Sequence, residues 1–203
     1  MDRKVLKANA KQQLGGGLFQ NTWLTGLIVM LIYSAVISAA GATVVGSIIL
    51  LGPLTYGLSK VFLRLVYGEE RIDIATLFDG FKDDFGGTVV LGLMQTIFVF
   101  LWSLLFVIPG IIKSYGYAMC FFIKVDHPEY DWKQCLTASE TMMRGHKMDL
   151  FVLELSFIGW MFVGALACGV GTLWVAPYMQ CTFANFYAWR VANDGSGVAE
   201  ELA

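Results

Sequence analysis

The stretch FVIPGIIKSYGYAMCFF, residues 106–122, decides how this chain folds. It places Pro109 and Gly110 inside a long apolar run, with Lys113 close behind them. Proline lacks a backbone donor and glycine loosens a helix, so the pair either kinks one helix or reverses the chain between two helices. The length of the surrounding apolar run distinguishes these two alternatives.

Three apolar runs cover most of the chain, at residues 22–59, 85–123 and 150–189. The first contains no charged residue, the second contains only Lys113, and the third contains only Glu154. Each run is about twice the roughly 20 residues that one helical crossing of a bilayer needs. The runs therefore predict an all-α, polytopic membrane protein with six transmembrane helices, paired as three helical hairpins. The six helices are expected near residues 23–40, 43–66, 87–108, 110–125, 149–168 and 172–191.

Prolines and small residues indicate where these helices turn, kink and pack. Pro109 and Gly110 form the predicted turn of the middle hairpin, while Pro53 and Pro177 mark a turn or kink in the second helix of the other two hairpins. Small residues recur every four positions and predict a seam of close helix packing, at Ser34, Ser38, Ala42 and Gly46.

The composition agrees with a membrane protein. The chain is 57% hydrophobic and 15% charged, with a mean hydropathy of +0.63, whereas soluble domains carry about 25% charged residues. A soluble fold of this size could not cover itself with so little polar surface, so we expect a single integral membrane domain over residues 1–203. The net charge of -2 offers no argument for binding nucleic acid.

The distribution of Lys and Arg predicts the orientation. Basic residues occupy the segment before the first hairpin and both connections between hairpins, whereas the three turns inside the hairpins carry none. By the positive-inside rule, both termini are expected in the cytoplasm.

A weak threefold repeat organises the chain into units near residues 1–67, 72–125 and 131–191, followed by a flexible C-terminal tail at 192–203. An amphipathic stretch precedes each hairpin, with apolar residues at helical spacing. The three predicted stripes are Leu6, Ala10 and Leu14; Ile74, Leu77, Phe78, Phe81 and Phe85; and Trp132, Leu136, Ser139 and Met143. These segments are expected to lie in the cytoplasmic interface, the alternative being ordinary charged loops.

Three ionisable residues inside the predicted helices form a candidate intramembrane polar site: Lys60, Glu154 and Lys113. Lys60 and Glu154 are expected at about the same depth, which permits an ion pair, although Lys60 could instead extend to the interface. Lys113 is expected near the far face, either extending into water or facing an anion together with the hydroxyls of Ser114, Tyr115 and Tyr117.

Sequence motifs of enzymes and metal sites are missing from the sequence. There is no G-x-S-x-G, H-E-x-x-H or Walker A pattern, and the four cysteines form no C-x-x-C pair. The sequence therefore predicts no catalytic residue, no cofactor, no metal ion and no enzymatic activity.

Several longer motifs resemble a known family. They are GPLTYGLSKVFLRLVYGEE at 52–70, LFDGF at 77–81, LWSLLFVIPGIIKSYGYAM at 101–119, GHKMDLFVLELSFIGW at 145–160 and GVGTLWVAPY at 169–178. The chain resembles the small bacterial integral membrane proteins of domain-of-unknown-function family 975. The resemblance implies a polytopic protein of the bacterial cytoplasmic membrane with no established activity. It places Lys113 in a family motif, after the Pro-Gly pair, and assigns it no role.

Two functions of different classes remain open. The first is a non-enzymatic membrane module, meaning a scaffold, an accessory subunit or an immunity or stress protein. The second is a small transporter or permease-like protein with a polar site around Glu154 and Lys60 or Lys113. A dry, packed bundle favours the module, and a cavity that reaches Glu154 or Lys113 favours transport. Membrane lipids, a partner membrane protein or a second copy are the expected partners, and nucleic acid is not.

Overall fold

The computed structural model describes residues 3–15, 21–40, 44–69, 72–105, 107–166 and 170–193, and regular structure within these ranges is helical. The predicted all-α class is therefore confirmed for the described residues. The α-helices are α1 Arg3–Gln13, α2 Asn21–Ala40, α3 Val44–Val66, α4 Phe85–Leu105, α5 Val107–Gly116, α6 Cys120–Asp126, α7 Trp132–Met142, α8 Lys147–Leu166 and α9 Val170–Asn193. A 3-10 helix, Ile74–Phe81, precedes α4.

Three helices in the described residues, rather than the six predicted, are long and apolar enough to cross a bilayer: Thr22–Ala39 in α2, Ile49–Val66 in α3 and Phe85–Leu104 in α4. The predicted fourth helix fails because it is broken into the ten residues of α5 and the seven of α6, each shorter than one crossing. The predicted fifth and sixth helices coincide with α8 and α9. In both helices, some side chains lie outside the described part of the chain.

The middle hairpin forms, but its turn is not at Pro109 and Gly110 as predicted. Helix α4 ends at Leu105 and α5 begins at Val107, so Pro109 and Gly110 lie in the first turn of α5. Proline is tolerated there because the first turn of a helix needs no backbone donors. Gly110 instead lets α5 approach α4, since a methyl group at this position would overlap Ser103.

Helix α3 lies at the centre of the fold. In its apolar window 61% of the residues are buried, against 17% in the windows of α2 and α4. The 3-10 helix crosses α3 in direct backbone contact, because a methyl group at Gly57 would overlap the carbonyl of Leu77 and one at Gly80 would overlap the carbonyl of Pro53. The close approach that small residues allow is thus found in α3.

The second amphipathic segment buries part of the predicted face. A 3-10 helix repeats every three residues, so Leu77 and Gly80 are buried along one line and Ile74 and Phe81 pack against the core, whereas Phe78 is exposed. Phe85, which begins α4, is also exposed. The predicted spacing mixed intervals of three and four, which suits an α-helix.

The other two amphipathic segments bury the predicted faces inside the bundle. Leu6, Ala10 and Leu14 are buried where α1 packs on α9, and Leu136, Ser139 and Met143 are buried on the α7 side of the core, where α7 packs on α4 and α6. Their apolar stripes therefore contact other helices of the protein, whereas the prediction had placed them at the cytoplasmic surface of the membrane.

Several remaining predictions concern turns and the tail. Pro53 and Pro177 lie inside α3 and α9 rather than in turns. Ser34 and Ser38 are exposed, so the predicted seam of α2 is not packed at these two positions, and Ala42 lies outside the described residues. The first two residues of the predicted tail belong to α9, and residues 194–203 lie outside the described part.

We expect Gly57→Ala to destabilise the protein by about 1–3 kcal/mol or more, because the new methyl group meets rigid backbone rather than a movable side chain. Thermal unfolding in mild detergent measures the effect. Gly86→Ala is the matched control, since a methyl group there meets nothing within 4 Å. Equal melting temperatures for the two variants would contradict the described contact.

Candidate functional site

A cavity of about 540 Å³ lies where α2, α3, α5, α6, α8 and α9 meet. Most of its wall is apolar, and the polar part includes Thr55, Ser59, Ser114, Tyr115, Glu154 and Gln180. No Lys, Arg or His occurs among the described residues that line it. The volume lies within the range of about 300–1,000 Å³ that is typical of pockets for small molecules.

Glu154 is the charged group of this lining. It projects from α8, is half-buried, and accepts a hydrogen bond at Oε2 from the hydroxyl of Tyr115 on α5. The Tyr115 ring is held edge-on against Phe151, one turn before Glu154, with 5.8 Å between ring centroids. Contacts between α5 and α8 therefore hold the carboxylate in place at the cavity wall.

The cavity also meets the break between α5 and α6, through Ala118 and Met119. The backbone groups that the break leaves without helical partners bond to Ser139 of α7. Its Oγ donates to the Gly116 carbonyl at 2.8 Å and accepts from the Met119 N–H at 3.2 Å. Gln95 of α4 also donates to the Tyr117 carbonyl at 3.4 Å. Such pairing satisfies the polar backbone groups of an irregular segment that lines a cavity.

Lys60 does not pair with Glu154, so that predicted ion pair is wrong. Its Nζ lies 2.8 Å from Asp79 and 2.5 Å from Asp83, at the end of the 3-10 helix. No local sequence pattern indicates this pair, because the pair depends on the crossing of the 3-10 helix over α3.

Lys113 is likewise held by a carboxylate. Its Nζ lies 2.5 Å from Oε1 of Glu140 on α7, and 5.3 Å and 5.7 Å from the ring centroids of Trp102 and Tyr117. The predicted partnership of Lys113 with Tyr115 does not occur. Residues two apart on a helix point to nearly opposite faces, so Tyr115 turns to Glu154 while Lys113 turns to α7.

The three predicted site residues therefore occupy three separate environments, and of these Glu154 alone lines the cavity. Sequence reasoning missed Ser139, which it assigned only to an amphipathic stripe. A hydroxyl at the centre of an otherwise apolar stripe was the available signal. The described residues contain no group of three His, Cys, Asp or Glu side chains that could hold a metal ion.

A third lysine joins the two ends of the middle hairpin. Lys124 is 4% exposed, donates to the carbonyls of Pro128 and Tyr130 at 2.7 Å and 2.9 Å, and lies 2.8 Å from Oδ2 of Asp84. The hydrogen bond from Lys124, together with one from the Gly87 N–H, holds the pKa of the Asp84 carboxyl below its usual value despite partial burial.

We expect Ser139→Ala to destabilise the protein by about 1–3 kcal/mol, because the Gly116 carbonyl and the Met119 N–H both lose a buried partner. Thermal unfolding in detergent reports the loss. Thr137→Ala is the matched control on the same helix, at an exposed position. A melting temperature for Ser139→Ala equal to that of Thr137→Ala would show that the break does not need this hydroxyl.

The lowered pKa of Asp84 predicts a pH-dependent contribution to stability. The contribution is full above the ordinary carboxyl pKa of about 4 and declines as the pH falls through the lower folded value. Because the Asp84 side chain is 39% exposed, we expect Asp84→Asn to lower the melting temperature at neutral pH by only about 1–3 °C.

The melting temperature of the parent protein minus that of Asp84→Asn should shrink as the pH is lowered below about 4. Glu69→Gln is the control, since Glu69 is exposed and lies 3.8 Å from Arg64. A difference that stays constant from neutral to acidic pH would contradict the assigned ion pair.

Comparisons with known proteins agree with this architecture at the level of the family. Residues 1–115 and residues 104–191 match the family described as Protein of unknown function (DUF975). No curated protein and no solved structure matches the chain. The matched segments cover well over half of the chain, and the three long apolar helices found among the described residues fit a membrane-associated protein. The chain therefore belongs to the DUF975 family, whose function is unknown.

Proposed function

We propose that this protein is a small transporter or permease-like protein of the bacterial cytoplasmic membrane, and that it holds its substrate in the Glu154 cavity. In this proposal the protein is multi-pass, both termini are cytoplasmic, and membrane lipids cover its apolar outer face. The observation that carries the proposal is the 540 Å³ cavity that places the Glu154 carboxylate beside a broken helix.

The broken helix supports transport because transporters commonly build substrate sites from discontinuous helices near the middle of the membrane. Here α5 and α6 are interrupted at the cavity wall, and side chains from α4 and α7 bond to the backbone of the break. A substrate in the cavity would touch this segment at Ala118 and Met119. Binding could thus be coupled to a movement of α5 relative to α6.

The alternative is a non-enzymatic membrane module, meaning a scaffold, an accessory subunit or an immunity or stress protein. For such a module we expect a dry bundle around Glu154. The cavity favours transport over this module. The proposal includes no catalytic step, and it assigns the Tyr115 hydroxyl to positioning the Glu154 carboxylate.

The exposed surface of the middle hairpin supports contact with lipid. Its tip is apolar and carries no charge, and the exposed side chains are Phe100, Leu101, Leu104, Val107, Ile108 and Ile111. An apolar surface of this kind is suited to a hydrocarbon environment.

Thiol labelling from each side of the membrane tests the proposal. We expect Ser114→Cys, in the cavity wall, to react with a membrane-impermeant maleimide both in intact cells and in inside-out vesicles, because a transporter exposes its site alternately to the two sides. Leu104→Cys is the control, since Leu104 is 76% exposed on the apolar outer face. Every variant carries Cys168→Ser, because Cys168 lies outside the described residues. The chain with this substitution alone gives the background, which should be low because Cys120, Cys135 and Cys181 are buried and burial raises the pKa of Cys135 to about 11.

Two results would count against transport. If Ser114→Cys is labelled from only one side, the cavity is a one-sided binding site. If it is labelled from neither side, the bundle is closed and packed, which favours the module.

A further inference from the structure

We propose that the Glu154 cavity selects a monovalent organic cation with an apolar body, such as an aryl-alkyl ammonium ion. This inference rests on the proposed function, because it names the class of substrate for the same cavity. It follows from the charge, the aromatic lining and the size of the site.

The charge of the cavity is negative. Glu154 is the ionisable carboxylate of the wall, and its hydrogen-bond donor is a neutral hydroxyl, that of Tyr115. A carboxylate has about four lone-pair positions, so it can accept further donors from a ligand. Because a charge inside a membrane protein is costly without a counter-charge, a neutral or anionic ligand would leave this cost uncompensated.

Among the described residues, no lysine or arginine forms an ion pair with Glu154. Lys60 pairs with Asp79 and Asp83, and Lys113 pairs with Glu140. Lys7 also reaches α8, where its Nζ lies 4.0 Å from the centroid of the Phe157 ring and 3.4 Å from the carbonyl oxygen of Ser156.

The aromatic wall suits a cation that is poorly hydrated. Aromatic side chains from four helices and from both sides of the break line the cavity: Tyr33, Tyr115, Phe121, Phe122 and Phe183. Ring faces attract organic ammonium groups by the cation–π interaction, which strengthens when water is excluded. Leu58, Met119 and Leu150 add apolar surface for the rest of the ligand.

Inorganic cations fit the same wall poorly. A divalent ion such as Ca²⁺ takes six to eight oxygen ligands, and Mg²⁺ requires near-octahedral geometry. The described lining offers six hydroxyls and one amide, but a single carboxylate against the two charges of such an ion, in a volume much larger than a bare ion. An organic cation matches both the single charge and the volume.

Binding of two ligands of equal shape tests the inference on the full-length protein in lipid nanodiscs. The probes are benzyltrimethylammonium and its neutral carbon isostere neopentylbenzene, and equilibrium dialysis measures both affinities. We expect the cation to bind at least about tenfold more tightly than the isostere, because the Glu154 carboxylate attracts its charge and the aromatic rings add cation–π contacts. Equal affinities, or no binding of the cation, would overturn the inference without any variant.

Substitutions then locate the site. We expect Glu154→Gln to weaken binding of the cation by about 10- to 100-fold and to leave the neutral isostere unchanged. Glu129→Gln is the matched control, because Glu129 is exposed and lies outside the cavity. Unchanged cation binding in Glu154→Gln would place the site elsewhere and overturn the inference.

The outcomes separate this inference from the proposed function. Labelling of Ser114→Cys from both sides without binding of the cation would leave transport standing and remove the organic cation as substrate class. Binding of the cation that depends on Glu154, with labelling from one side only, would keep the ligand class and remove transport.

Discussion

The direct backbone contact between α3 and the 3-10 helix is the constraint on which the rest of the structure depends. Gly57 and Gly80 carry no side chain at the crossing, so two helices meet at a distance that any other residue would prevent. This contact places Asp79 and Asp83 at the ammonium group of Lys60 and sets where α4 begins. The pair of Asp84 with Lys124 then brings the end of α6 back to the start of α4. The position of the broken helix, and hence of the cavity, follows from these contacts.

Ionisable side chains in this bundle have two kinds of partner. Lys60, Lys113 and Lys124 each meet a carboxylate, which lowers the cost of placing an ammonium group among apolar helices. Glu154 instead meets the hydroxyl of Tyr115 and faces a cavity. A structural ion pair fixes the relative position of two helices, whereas a carboxylate that faces a cavity can accept a ligand. This contrast separates Glu154 from the other ionisable residues inside the helices.

Length and periodicity were reliable guides where the chain is a regular α-helix. The buried stripes of α1 and α7 and the antiparallel pairing of α4 and α5 follow from apolar spacing and from the width of a bilayer. The same arguments failed where geometry is local. The 3-10 helix changed the period from 3.6 to three. Pro109 lies in the first turn of α5 rather than in a turn between helices, because proline can start a helix as readily as it can end one. The break after Gly116 has no apolar or polar signal of its own.

The sequence by itself determined the helical content, the family and the presence of helices apolar enough to cross a membrane, because these depend on composition, on run length and on motifs that are contiguous along the chain. It also singled out Glu154 as a charge in an apolar run. Only the tertiary structure decided the partners of that charge. Tyr115 and Glu154 are 39 residues apart, Lys113 and Glu140 are 27 apart, and Lys60 and Asp83 are 23 apart. Such contacts depend on which helix faces meet, and that is set by close backbone approaches such as Gly57 against Leu77, which no local pattern of residues encodes.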